Sequence, residues 1–406
     1  MPANFGPYQP FTGFSVVDPN TNVTQDLGQR YITKSYLLDT YPNIASQLGS
    51  RTSSGLWGWG SDGYGQGLLV NGTTNIKYSS PLQIGSLTNW KQISCGGTNF
   101  VSAVKIDGTL WSWGSNDSGK LGISTAISTN SPIQVGTGTN WQQVSCGNVF
   151  AAAIRTDGSL WTWGYSGGGS LGNNLANGIS YSSPIQITSA VPWKQVVCSN
   201  YYSAAIKIDG SLWMWGSNLF GNLGDGTTTN ASTPIQVGTS TNWKQVSCGY
   251  GNSVMAIKQD GTMWAWGQNI YGQLGVNISA VSYSSPLQVG TSTTWKQVDI
   301  NNFFMAVKTD GSLWTCGYSA GIYYSSPIQV GSLTNWKTVS IKNNIISVAA
   351  IKTDGTLWTW GYNVAGQLGN NTTIFYSSPI QVGSLTTWKQ VTTGPSFTFG
   401  ISDGYI

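Results

Sequence analysis

The sequence predicts an all-β protein, a seven-bladed β-propeller of four-stranded antiparallel blades preceded by a non-repeat arm. Three observations predict it: a tryptophan motif at near-constant spacing, Asp-Gly turn signals in step with it, and chain ends carrying complementary halves of one repeat. The motif begins at "LWGWG" 56, "LWSWG" 110, "LWTWG" 160, "LWMWG" 212, "MWAWG" 263, "LWTCG" 313 and "LWTWG" 357. The first tryptophans, Trp57, Trp111, Trp161, Trp213, Trp264, Trp314 and Trp358, are 54, 50, 52, 51, 50 and 44 residues apart. A second anchor, typified by "WKQVSCG", contributes Trp90, Trp141, Trp193, Trp243, Trp295, Trp336 and Trp388. The two anchors hold all 20 tryptophans, and Cys316 stands where one more would be.

Each repeat reads as four short strands. "WKQISCG" and "NFVSAVKI" are separated by small residues, and an Asp-Gly pair then turns the chain into "TLWSWG". Asp-Gly between apolar runs is a strong hairpin signal because both turn positions tolerate positive φ. It recurs at Asp107, Asp157, Asp209, Asp260, Asp310 and Asp354. Period-two alternation sends Trp111 and Trp113 to one sheet face and Leu110 to the other, so both faces are apolar. That suits a sheet sandwiched between two others. After a long loop comes "SPIQVG", whose proline opens a strand, where a missing N–H does least damage.

The ends close the ring. The first repeat enters at "SSGLWGWG" without its preceding hairpin strand, while the chain finishes "FTFGISDGYI" without a tryptophan strand. A strand near 55–60 therefore joins C-terminal strands near 376–402, with Asp403 and Gly404 as the seventh turn. One strand plus three and two plus two both satisfy this pattern. Closure leaves only short, protected strand edges.

The patterns "DGTLWTWGYNVAGQLG" 354–369 and "WKQVSCG" resemble the regulator of chromosome condensation repeat, over roughly residues 51–406. The resemblance implies a seven-bladed propeller. Members of that family include Ran exchange factors on chromatin, a plant ultraviolet sensor, ubiquitin-ligase adaptors, a secreted bacterial β-lactamase inhibitor and proteins of tailed-phage virions. Fold does not choose among such roles.

Composition narrows them. The chain of 406 residues has 53 glycines, 8% charged residues, no histidine and no glutamate. Seven of its aspartates are turn residues, which leaves Asp18, Asp26, Asp39, Asp62, Asp117, Asp225 and Asp299. Acid–base catalysis, triads and zinc sites draw on histidine or on paired carboxylates, so no enzyme, catalytic residue, metal or cofactor is expected. Cys95, Cys146, Cys198 and Cys248 occupy one place in neighbouring repeats and read as small buried residues rather than disulfide partners. Only Arg30, Arg51 and Arg155 are arginines, against the arginine-rich surroundings and "GWRHT" motif of the light sensor. The acidic and histidine side chains of the exchange factors have no counterpart. Twelve of the 18 basic residues fall at two repeated positions. One set is Lys91, Lys194, Lys244, Lys296, Lys337 and Lys389; the other is Lys105, Arg155, Lys207, Lys258, Lys308 and Lys352. Both are read as solvated strand ends, and no nucleic acid is expected to bind.

The loops after the tryptophan motif carry the candidate contacts, Tyr64, Tyr78, Tyr165, Tyr181, Phe220, Tyr271, Tyr283, Tyr323, Tyr362 and Phe375, among Asn, Ser and Thr. Aromatic and small polar residues on a rigid scaffold suit protein or glycan contact, although some of these rings would simply cover blade edges. The sixth repeat has a shortened loop, "YSAGIYYSS", expected to notch the rim. Residues 1–50 read as an anchoring arm distinct from the propeller at 51–406. A short helix is expected over 32–41, with Tyr31, Ile32, Tyr36, Leu37 and Tyr41 making contacts. No signal peptide or membrane-spanning segment is read in the sequence. The expected function is a non-enzymatic structural or interaction protein on a larger assembly, resembling a phage virion decoration, tail or fibre component and located on a virion or extracellular surface. Its partners would be assembly proteins through residues 1–50. The alternative is a carbohydrate-binding propeller contacting cell-surface glycan through the long loops, and an exchange-factor-like or adaptor regulator is disfavoured.

Overall fold

The Asp-Gly turns fold as their chemistry requires. In the computed structural model the turn glycines Gly108, Gly158, Gly210, Gly261, Gly311 and Gly355 all adopt φ between 78° and 81°. The aspartate then sets up a relay. Asp107 Oδ1 accepts the Thr109 N–H at 3.0 Å and its hydroxyl at 2.7 Å, and Thr109 Oγ1 accepts Trp111 Nε1–H at 2.8 Å. Asp209–Ser211–Trp213, Asp260–Thr262–Trp264, Asp310–Ser312–Trp314 and Asp354–Thr356–Trp358 repeat it. Turn and tryptophan strand are thus fixed together by "DG[TS]LW".

The structure describes residues 15–17, 24–26, 54–61, 77–85, 89–174, 177–278, 280–319, 322–342 and 347–403. The chain divides into two compact units, Met1–Thr52 and Ser53–Ile406. In the first, Ser15–Val17 pairs antiparallel with Thr24–Asp26. The expected helix and the arm residues Tyr31, Ile32, Tyr36, Leu37 and Tyr41 lie outside the described residues.

The second unit holds seven four-stranded antiparallel sheets. Blade A comprises Trp90–Cys95, Phe100–Lys105, Leu110–Gly114 and Thr129–Gln134. Blades B to F follow with the same order, their inner strands being Trp141–Cys146, Trp193–Cys198, Trp243–Cys248, Trp295–Ile300 and Trp336–Ser340. Blade G closes the ring from both ends of the unit, in the order Trp388–Thr393, Phe397–Asp403, Ser54–Ser61, Lys77–Gln83. Closure is therefore two plus two. Seven residue pairs, Ser54↔Asp403 through Gly60↔Phe397, join the termini of the unit, and the Ser54 hydroxyl donates to Asp403 Oδ1 at 2.6 Å.

Burial follows radius. Phe100–Lys105 is buried throughout, whereas the outer strand Thr129–Gln134 is half-exposed. In six blades the inner-strand tryptophan meets both rings of its own blade's motif, as Trp141 meets Trp161 at 6.2 Å and Trp163 at 6.5 Å; in blade E, Trp295 meets Trp314 and Phe304. Because the strands alternate in direction, Asp-Gly turns share one end of the ring. The long loops share the other with the short connections after the inner strands. These ends are called the turn face and the loop face.

Candidate functional site

Two sets of side chains stitch the blades, and what they leave unused defines the candidate site. On the inner strands, each glutamine of "WKQ" reaches the next blade. Gln143 Nε2–H donates to Val196 O and its Oε1 accepts Val196 N–H, both at 3.0 Å. Gln92, Gln245, Gln297 and Gln390 make the same double bond to Val144, Val298, Val339 and Ile93, and Gln195 donates to Val246 O at 3.2 Å. Blade F carries Thr338 there instead. One row deeper, Ser94 and Ser145 accept the Cys146 and Cys198 N–H groups, and Asp299 Oδ2 accepts Ile341 N–H at 2.9 Å.

The second motif tryptophan grips the preceding blade's long loop. Trp163 Nε1–H donates to Lys120 O, Trp215 to Ser170 O, Trp266 to Asn222 O and Trp59 to Gln367 O, all at 2.8–3.0 Å. Cys316 occupies this position in blade E, its sulfur 3.3 Å from Gly272 O. Within the loops, Asn116 Oδ1 accepts Leu121 N–H while its Nδ2 donates to the Thr125 and Ile127 carbonyls. Asn218, Asn269 and Asn363 repeat the arrangement.

The second basic set is not solvated. Lys207 is 9% exposed, with its ammonium 4.8 Å from the Trp193 ring centroid and 3.9 Å from that of Trp213. Lys105, Arg155, Lys258, Lys308 and Lys352 occupy the same aromatic slot. Cation–π attraction and a buried aliphatic stem explain the placement. The first set, Lys91, Lys194, Lys244, Lys296, Lys337 and Lys389, is exposed around the axis on the turn face. All five thiols are free and buried, and burial pushes those of Cys198 and Cys316 up to about 12, so they are not nucleophiles. Among the described residues no group of His, Cys, Asp or Glu could hold a metal, and no helix is long and apolar enough to cross a membrane.

The predicted loop residues separate into two kinds. Tyr78, Tyr181 and Tyr283 open outer strands opposite Gly60, Gly164 and Gly267, and pack half-buried on the core as edge cover. Tyr165, half-buried, ends the strand Leu160–Tyr165 opposite Ser180, and Tyr64 lies outside the described residues. Phe220, Tyr271, Tyr323, Tyr362 and Phe375 are at or near the loop surface, with Tyr323 60% and Phe375 51% exposed. At the D–E seam Tyr271 stacks on Tyr323, with centroids 6.0 Å apart and planes 24° apart, and Tyr318 lies 4.8 Å from Tyr323. Instead of a bare notch, the shortened loop of blade E extends its strands to Leu313–Ser319 and Ile322–Gln329, and these carry that cluster. Sequence reading missed Tyr318 and the tip residues beside the structural asparagines: Leu219 (71% exposed), Ile270 and Val364. The corresponding tips in blades A and B are Asp117–Ser118 and Gly167–Gly168. Among the described residues the apolar tips beside these asparagines fall in blades C, D and F, while the exposed Ile127 and Ile179 lie further along the loops of blades A and B, and the loop tip of blade G lies outside the described residues.

This architecture defines a class, the closed propeller built from tryptophan-stapled repeats. The chain belongs to the RCC1-like domain family, whose model matches residues 52–332, and a regulator of chromosome condensation (RCC1) repeat matches 354–401. It is similar to the ultraviolet-B receptor UVR8 of Arabidopsis thaliana, 27% identical over 265 residues, which cover 63% of this chain and 57% of that protein. The match to human E3 ubiquitin-protein ligase HERC2 is 29% identical over 83 residues, 20% of this chain and 2% of that one. Among solved structures, human WBSCR16 superposes with a TM-score of 0.77 at 19% identity, covering 87% of this chain and all of that one. Yeast RCC1 (Prp20) in its complex with Kap60 gives 0.73 at 17% identity, covering 86% and 89%. At these identities the structural likeness is one of fold.

Proposed function

We propose that this chain is a non-enzymatic interaction module that docks a partner protein on the loop face over blades C to F. The observation that carries the reading is the asymmetry of the loop tips. Loop geometry is secured by the asparagine bonds and by buried Leu223, Leu274 and Leu368, so the fold does not need Leu219, Ile270 or Val364 at the tips. Exposed apolar groups that serve no packing role mark a recognition surface. Tyrosines at the centre of such a patch supply large contact area at little conformational cost. The solved complex of yeast RCC1 with Kap60 shows that a protein of this fold engages another protein, which supports the reading. The sparse charge and abundant Gly, Asn, Ser and Thr favour a place on a larger assembly of the virion type, with residues 1–50 as its anchor.

A specific observation favours a second reading. The Tyr271–Tyr318–Tyr323 cluster presents stacked rings to solvent, the kind of platform on which a sugar ring packs. The test is a Tyr271→Ala/Tyr323→Ala double variant beside a Lys244→Gln/Lys296→Gln control on the turn face, each tagged and recovered from native material. The partner should be lost from the tyrosine variant alone. Unchanged recovery of the partner with the tyrosine variant would contradict docking at this site, and glycan-array binding by wild type, abolished in that variant, would give the site to sugars.

A further inference from the structure

The axis of the propeller holds a cavity. The inner strands enclose a cavity of about 290 Å³, walled by the latch glutamines and, deeper, by the serine and threonine row. At the loop end two side chains cross the axis. Tyr250 of blade D reaches blade A, where a Cβ placed on Gly97 would lie 2.5 Å from its ring. Lys342 of blade F also spans to blade A, with its ammonium 3.4 Å from Ser94 Oγ. That long bond is the single hydrogen bond of the ammonium among the described residues, and Lys342 lines the cavity.

A second residue of the wall carries a hydroxyl that a change of rotamer would turn toward the same space. Thr392 is 4% exposed and lines the cavity, and its hydroxyl makes no hydrogen bond to nitrogen or oxygen among the described residues, the Cys95 thiol beside it being its one weak partner. The equivalent hydroxyls of Ser94 and Ser145 each hold an N–H of the next blade. A buried hydroxyl without a strong partner is costly and calls for one. Asp299 also lines the cavity, within electrostatic reach of Lys342; its oxygens are taken up, Oδ1 by the Ser247 hydroxyl at 2.6 Å and Oδ2 by Ile341 N–H, and burial raises its pKa toward the neutral acid, which would leave the ammonium's charge available to an anion. At the open end the exposed lysines ring the mouth, and of these Lys389 alone pairs with a carboxylate, that of Asp403, among the described residues. Such a rim raises the local concentration of anions.

We propose that this cavity is a small-anion site, taking the phosphate or sulfate group of a ligand that enters from the turn face. The Lys342 ammonium and the Thr392 hydroxyl donate to its oxygens. The site is independent of docking on the loop face. Isothermal titration of the full chain with inorganic phosphate, and separately with AMP, in chloride buffer of matched ionic strength tests it. Saturable binding is expected, weakened ~10-fold or more by Lys342→Gln and ~3- to 10-fold by Thr392→Val, as loss of a charge-assisted and of a neutral hydrogen bond implies. Near-ultraviolet circular dichroism checks that each variant is folded; if Lys342→Gln is not, Thr392→Val decides. Phosphate binding with AMP excluded identifies the free ion, and AMP binding at least as tight identifies a phosphate carried by a larger molecule. Absence of saturable binding for both, or wild-type affinity in the folded variants, overturns the proposal.

Discussion

Gly172 shows how far one position can be dictated from another repeat. Its φ is +68°, and a Cβ there would lie 2.5 Å from Trp215 Nε1 of the next blade. Gly275 has the same backbone, φ +69°, but faces Phe304 at 3.0 Å and the Cys316 sulfur at 3.4 Å. Gly172→Ala combines left-handed strain with overpacking and should destabilise by ~3–4 kcal/mol, whereas Gly275→Ala should cost ~1–2 kcal/mol, mainly the strain. Urea denaturation of the two variants measures the difference. Protonation gives a second prediction. The side-chain hydrogen bonds from Ser159, Ser211, Thr262, Ser312 and Thr356, and then their backbone N–H groups, hold Asp157, Asp209, Asp260, Asp310 and Asp354 below the usual carboxylate range. A depressed folded pKa gives stability that is present above the unfolded value, ~3.9, and is lost as pH falls through the folded one. Asp299, raised by burial, has the opposite sign. With Asp107, Asp117 and Asp403 also held down, eight carboxylates stand against one, and the melting temperature should fall as pH drops below ~4; a rise over that interval would contradict the relay. The Asp-Gly turn was legible because its residues are adjacent, whereas the relay from its aspartate through Ser or Thr to the tryptophan was not read. Nor was the tryptophan staple, because Trp215 and Ser170 are 45 residues apart. The lysine slot was misread for a similar reason: a charge at a strand end defaults to water unless two other strands bring rings around it.

The inner strand is the element that turns seven sheets into one ring. Its glutamine is visible in "WKQ", yet nothing local shows that it bonds backbone on the neighbouring blade. Gln143→Leu would leave the Val196 N–H and carbonyl without their partner and should cost ~2–3 kcal/mol. Thr338→Gln should supply the latch absent at the F–G seam and gain ~1 kcal/mol, read as a higher urea midpoint with unchanged slope. A lower midpoint would mean that the seam, where Lys342 N–H already donates to Thr393 Oγ1 at 2.8 Å, has no room for the amide. The outer strand explains why part of the candidate site was misassigned. Tyr78, Tyr181 and Tyr283 sit in loop-like sequence, but each pairs opposite a motif glycine, whose missing side chain leaves space for the ring. Tyr318 was overlooked because it follows the motif directly, and its value comes from Tyr271 on the neighbouring blade.

At the scale of the whole molecule, repeat count and closure were readable from the two incomplete ends. The choice of two plus two strands was not, since either division leaves the same residues at the same spacing; pairing of Ser54–Ser61 with Phe397–Asp403 decides it. The ring then has two unlike faces. The turn face carries repeated lysines and aspartates, nearly identical from blade to blade, while the loop face breaks symmetry, with apolar tips beside the loop asparagines in blades C, D and F among the described residues and the tyrosine cluster at the D–E seam. A partner that distinguishes one sector of a pseudo-symmetric ring must read what differs between sectors. The loop face is therefore the proposed docking surface. The most direct test places a photo-crosslinking amino acid at position 323 on the loop face and, separately, at position 244 on the turn face, in the native setting of the protein. A discrete crosslinked protein from position 323 and none from 244 is the predicted result. The same adduct from 244 alone, or no protein adduct from 323, would contradict it.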